Sequence, residues 1–171
     1  MPNNELTNQK EDDEKLYQEI KCLIEQSKSQ VVSQVNRVLV LTYWHVGKAI
    51  KTTVVTEERA EYGKATVEQL GQRLSQEYGN GFGPRNLLRM MRFYEQFTDE
   101  AIVTTVSSKL SWSHFVELIR LDDPIKREFY MTMCSNERWS VRALRDRMNS
   151  MLFERTAIAK QPDQVIRQEL S

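Results

Sequence analysis

From Asp12 to about Thr53 the chain carries apolar residues at Leu16, Ile20, Leu23, Ile24, Val31, Val35, Val38 and Leu39, separated by polar positions. The steps of three, four and seven mark one face of a long helix. The β-branched group Val31, Val32, Val35 and Val38 lowers helix propensity slightly, but a strand would alternate strictly and this stretch does not. Gly47 is the sole glycine here, and proline is absent. A helix of this length buries little against itself. It therefore needs partners, either within the domain or from another subunit.

After that helix the pattern becomes shorter and more punctuated. Residues 52–62 form a connector, with Thr52 to Val55 reading as a short strand. The next helix, 64–78, turns Val67, Leu70 and Leu74 inward and ends at Gly79, a residue suited to a left-handed cap. The loop GNGFG leads to Pro84, which opens a third helix running to about Phe97. Leu87, Leu88, Met91 and Tyr94 are its expected apolar face, and Arg85, Arg89, Arg92 and Gln96 form a second stripe. Residues 98–110 are a Thr/Ser/Val-rich connector, helical or extended. Ser111 or Ser113 caps a helix at 112–121. Asp122 and Asp123 stand before Pro124, which starts a helix at 124–135. Ser140 caps a last helix, 141 to about 158, whose outer stripe is Arg142, Arg145 and Asn149, extended back to Arg138.

The expected fold is all-α: a helical domain with a long N-terminal helix and a helix-turn-helix-like core, with or without a wing. Residues 1–11 read as a disordered tail, 12–159 as the domain and 160–171 as a linker. Trp44, Trp112 and Trp139 read as core anchors, since aromatics at helical spacing beside Leu and Val usually pack inward. Gly47 allows a close helix approach.

Composition narrows the partners. The 171 residues hold 24 basic and 24 acidic side chains, so any nucleic-acid footprint is local rather than global. Hydrophobic residues make up 40% and charged residues 28%, enough for a core. Cys22 and Cys134 lack close partners in sequence and suggest neither a disulfide framework nor a zinc site. No apolar run reaches the roughly 20 residues that span a bilayer, and the polar start MPNNELTNQKEDDEK is unlike a signal peptide. A cytoplasmic location without membrane partners is expected.

Catalytic signatures are poor. The phosphate-loop pattern is missing, because Glu58 stands where its first glycine belongs before Gly63-Lys64. Gly79, Gly81 and Gly83 lack dinucleotide-loop spacing. His45 and His114 lie far apart with no spaced ligands, and Asp122-Asp123 reads as capping before Pro124 rather than as a Mg²⁺ pair. No cofactor or metal is expected. The helix-turn-helix reading of residues 64–97 is stronger, although the turn is longer than usual. In it Arg85, Asn86, Arg89 and Arg92 meet DNA phosphates and bases, because an arginine fork suits both. Arg138, Arg142 and Arg145 add a second patch. A rival reading makes the chain an interaction module: the long N-terminal helix pairs with its copy in a homo-oligomer, and the arginines are plain surface.

Four segments together resemble one family. YWHVGKAI (43–50), EYGKATVEQLGQRLSQEYGNGFGPRNLLRMMRFYEQF (61–97), LSWSHFVELIRLDDPIKREFY (110–130) and ERWSVRALRDRMNSMLFERTAIAK (137–160) are similar to the N-terminal domain of YhcG-type bacterial proteins. The resemblance covers about residues 15–165. It implies a helical domain preceding a C-terminal PD-(D/E)XK nuclease domain of the same protein, and a DNA-directed role in recombination, repair, restriction or mobile-element contexts. The nuclease motif is not expected in this chain. An acid-x-Lys triplet beside further acids occurs at Asp13-Glu14-Lys15, in a polar run without a preceding strand, and nothing suitable follows Pro162-Asp163. The chain is thus expected to be non-catalytic, either a fragment cut before the nuclease or a stand-alone version.

Overall fold

The computed structural model describes residues 3–54 and 60–160. The described residues form α1 (Asn3–Val54), α2 (Ala60–Tyr78), a 3-10 turn (Asn80–Phe82), α3 (Pro84–Gln96), α4 (Glu100–Val106), α5 (Trp112–Leu118), α6 (Pro124–Glu137), α7 (Val141–Asn149) and α8 (Leu152–Lys160). The fold is all-α, and no strand occurs among the described residues, so they include no wing. The chain divides into two units, residues 1–35 and 36–171.

The first unit is the leading part of α1. Helix begins at Asn3, where the sequence suggested a tail to residue 11. The acidic residue Glu5 in its first turn complements the positive end of the helix dipole. Local bonds such as Gln18 Nε2 to Glu14 Oε1 (3.0 Å) support it. Its apolar side chains Leu16, Tyr17, Ile20, Leu23, Ile24 and Val31 are exposed.

The second unit holds the core. Val40 and Trp44 from the rest of α1 pack with Phe93, Phe97, Val103, Leu110, Phe115, Leu118, Tyr130, Cys134 and Leu144. A neighbouring cluster joins Ile50, Val67, Leu87 and Met90. The expected close approach at Gly47 is real. A Cβ there would lie 2.0 Å from the Met90 carbonyl oxygen, so α1 and α3 touch backbone to backbone. Gly71 does the same for α2, since its Cβ would lie 2.5 Å from the Pro84 nitrogen. Trp44 Nε1 donates to the Phe97 carbonyl (2.6 Å), and Asn36 Nδ2 donates to the carbonyls of Ser107 and Leu110 (both 2.8 Å). These bonds satisfy the carbonyl ends of α3 and the α4–α5 loop.

Several local expectations change. Thr52–Val54 belong to the last turn of α1 rather than a strand. The hydroxyls of Thr52 and Thr53 bond back to the carbonyls of Lys48 and Ala49 (2.8 Å each), which suits a helix. Val55 lies outside the described residues, as do residues 161–171 of the expected linker. The 98–110 connector contains α4, capped by Asp99, whose Oδ1 accepts from the Ala101 N–H (2.9 Å). The core face of α3 is Leu87, Met90 and Phe93, with Leu88 exposed and Met91 and Tyr94 half-buried. The helix expected at 141–158 is two helices. It breaks at Ser150 and Met151, where Met151 takes a positive φ of 57°. The buried Tyr130 hydroxyl stabilises the break by accepting from the Phe153 N–H (3.1 Å) at the start of α8. The Phe129–Phe153 ring pair and the Lys126–Glu154 ion pair then hold α8 against α6.

Candidate nucleic-acid interface

Arg85, Asn86, Arg89 and Arg92 all lie on α3, and its start follows from the sequence. Gly79 adopts φ 91° with ψ −180°, a conformation open to glycine and costly for other residues. The 3-10 turn then delivers the chain to Pro84 in the first turn of α3, where a missing N–H costs nothing. Asn86 ties this corner together: its Nδ2 donates to the Asn80 carbonyl (3.1 Å), and its Oδ1 accepts from Arg89 Nη1 (3.0 Å). The loop is therefore anchored through Asn86 to the arginine one turn later.

The structure divides the seven sequence-predicted residues into four situations. Arg89 and Asn86 line an open groove of about 480 Å³ whose other walls are Trp112, Ser113, Val116 and Glu117 from α5 and Val141 and Arg145 from α7. Two stripes separated by more than fifty residues thus meet in one depression. Arg85 precedes Arg89 by one turn of α3, and Arg142 precedes Arg145 by one turn of α7. Both are exposed, with no ion-pair partner among the described residues. Arg92 faces elsewhere. Its Nη2 donates to Asp122 Oδ1 (2.6 Å), and it lines a second groove of about 560 Å³ with Lys51, Glu95 and Asp122. Arg138 is not part of the α7 stripe. It is the C-cap of α6 in the left-handed conformation, φ 53° and ψ 49°, exposed one residue before the buried Trp139.

Glu117 is the residue that sequence reading missed. It is buried, 6% exposed, at the floor of the groove. Arg145 places Nη2 (2.8 Å) and Nε (3.2 Å) on its Oε1, while Arg120 Nη1 reaches Oε2 (3.1 Å). The carboxylate raises the Arg145 pKa further, first through these hydrogen bonds and then through its charge. The signal was an isolated acid inside the apolar run Phe115, Val116, Leu118, Ile119, which a solvated surface does not require. Asp122 and Asp123 likewise divide their roles: Asp123 Oδ1 accepts from the Ile125 N–H (2.9 Å) as the expected cap, and Asp122 pairs with Arg92. The loop carrying them is pinned by buried Arg127, whose Nη2 and Nε donate to the Leu121 carbonyl (2.8 and 3.1 Å). Burial, and secondarily the nearby Arg92 charge, lowers the Arg127 pKa.

His114 also has a structural place. The Ser111 N–H donates to its Nδ1 (3.0 Å), so Nε2 carries the proton and donates to the Trp139 carbonyl (2.8 Å). His45 Nε2 lies 3.1 Å from Glu100 Oε1 in an exposed pair. No described helix is long and apolar enough to cross a membrane.

Comparison with known proteins fits the resemblance in the four quoted segments. The Escherichia coli (strain K12) protein named "Putative nuclease YhcG" is 25% identical over 176 residues, covering 85% of this chain and 47% of that protein. The chain therefore spans about half the length of that relative. No solved structure matches it. The model of the DUF1016 N-terminal domain matches residues 19–155, the greater part of the sequence, and the chain belongs to that family of YhcG N-terminal domains.

Proposed function

We propose that this domain is a non-catalytic DNA-binding module that targets a YhcG-type nuclease domain, with the groove between α3, α5 and α7 as its contact surface. One observation carries the reading: Arg89 and Arg145, from distant stretches of sequence, line one open groove, each one turn from an exposed arginine. α2, the 3-10 turn and α3 serve as a helix-turn-helix in which the start of α3, with its free N–H groups, faces phosphate. Arg85 and Arg142 make the primary phosphate contacts. Arg89 and Arg145 flank the centre, where Glu117 holds Arg145 in a fixed orientation. Asn86 positions the corner, and Arg92 and Arg138 add contacts at the margin, Arg92 only by exchanging Asp122 for phosphate.

Fluorescence anisotropy with labelled duplex DNA, titrated across salt concentrations, tests this. The parent is expected to lose affinity steeply with salt. Arg85→Ala/Arg142→Ala is expected to flatten the slope by about 2, near 0.9 per phosphate released, with unchanged circular dichroism. Equal slopes for parent and variant would sink the assignment. The oligomeric reading is favoured by a separate observation, the exposed apolar face of α1.

A further inference from the structure

We infer that residues 9–35 of α1 pair with the same segment of a second copy of this chain, and that the two helices run antiparallel. The inference does not depend on the DNA reading.

Tyr17, Ile24 and Val31 recur at intervals of seven, with Ile20 and Ser27 between them and Leu16 and Leu23 alongside. That spacing is the heptad of a helix seam, with Tyr17, Ile24 and Val31 at a positions, Ile20 and Ser27 at d, and Leu16 and Leu23 at g. Leu16, Tyr17, Ile20, Leu23, Ile24 and Val31 are each 47–62% exposed. An apolar stripe from Leu16 to Val31, interrupted at Ser27, implies a partner helix with the same period.

Charge selects the occupant and its direction. Residues 5–14 hold five acids against one lysine, including the unbroken run Glu11, Asp12, Asp13, Glu14. Residues 26–35 hold Lys28 and no acid. In a parallel pair the two acidic runs would lie side by side and repel. In an antiparallel pair centred near residue 22, Ile20 of each copy packs on Ile24 of the other. Glu14 then meets Lys28 twice, once at each end, and the acidic runs separate. The polar Ser27 falls opposite Tyr17, which a hydroxyl can share. Self-complementarity of this kind is the property of a two-fold interface. Cys22 falls at an outer f position and stays accessible.

Sedimentation velocity on the 171-residue chain is expected to show a concentration-dependent dimer. Ile20→Asp/Ile24→Asp is expected to weaken it at least tenfold with unchanged helical circular dichroism. Direction is read by pulsed electron–electron resonance. Nitroxides on Lys10→Cys in a Cys22→Ser background are expected about 36 Å apart along the axis, from 24 residues at 1.5 Å each, whereas labels on natural Cys22 lie within about 20 Å. A parent that stays monomeric, or a double variant that still dimerises, overturns the pairing. Labels at position 10 as close as those at Cys22 overturn the direction.

Discussion

The two units use the same kind of helix and reach opposite outcomes. In the second unit, Val40 and Trp44 of α1 are buried against Phe93, Phe97 and Phe115. In the first, Ile20, Ile24 and Val31, at comparable helical spacing, are exposed. The amphipathic pattern is the same signal in both. Whether it becomes core depends on what packs over it, and that information lies elsewhere in the chain: Gly47 for close approach, the aromatic cluster on α3 and α5, and the turn chemistry that brings them together. A hydrophobic stripe is a demand for a partner, and only the second unit supplies its own.

Three pairs of substitutions sharpen or break this contrast. The largest effect is expected from the apolar pair. Phe93→Ala removes a fully buried ring that contacts Phe97, Trp112 and Phe115 at centroid distances of 5.4, 5.3 and 4.8 Å. Urea denaturation should show a loss of about 3–5 kcal/mol. Ile20→Ala, measured at a concentration low enough to keep the chain monomeric, should change stability by less than about 0.5 kcal/mol. Similar losses for both would mean that the first unit is packed after all.

The cation pair comes next. Arg127→Ala leaves the Leu121 and Asp122 carbonyls without their donor and removes the cation over Phe97, 5.8 Å from its centroid. The expected loss is about 3 kcal/mol. Lys28→Ala, on the exposed helix, should be close to neutral for unfolding of the second unit. The loop change should also loosen Asp122 from Arg92, and a crystal or NMR structure of the variant would show that directly.

The smallest effect is expected from the thiols. Cys134 is buried, which pushes its pKa from an ordinary 9.0 to about 11, while the Trp139 carbonyl lies 3.6 Å from the sulfur. Between those values the unfolded chain releases its thiol proton before the folded one does. Stability from this group is therefore complete below about pH 9 and falls as pH rises toward 11, by about 2 kcal/mol. Cys134→Ala should lack that part of the pH slope, and Cys22→Ala should retain it. A thiol-reactive dye should label one cysteine, Cys22, in the folded chain and both in urea.

Much of the fold was legible because local chemistry fixed it. Ser111, Asp123 and Ser140 stand at helix starts, Pro84 and Pro124 open helices, and Gly79 takes the backbone geometry that other residues avoid. The interior face of α3 was less legible. Leu87, Leu88, Met90, Met91, Phe93 and Tyr94 place apolar atoms on more than half of its circumference, so periodicity alone could not choose among them. Contact with α1 at Gly47 makes Met90 and Phe93 core and leaves Leu88 in solvent. The break at Met151 was hidden for a related reason, since its stabilising groups, Tyr130 and Phe129, lie more than twenty residues away on another helix.

The candidate site shows the same division. The sequence alone established most of the helices, several of their caps and two arginine stripes at helical spacing, because each depends on interactions within a few residues. It could not establish that Arg89 and Arg145 share a groove, that Arg92 turns to Asp122, or that Glu117 lies buried beneath Arg145. Those are distances between residues far apart in sequence, and helix–helix packing alone decides them.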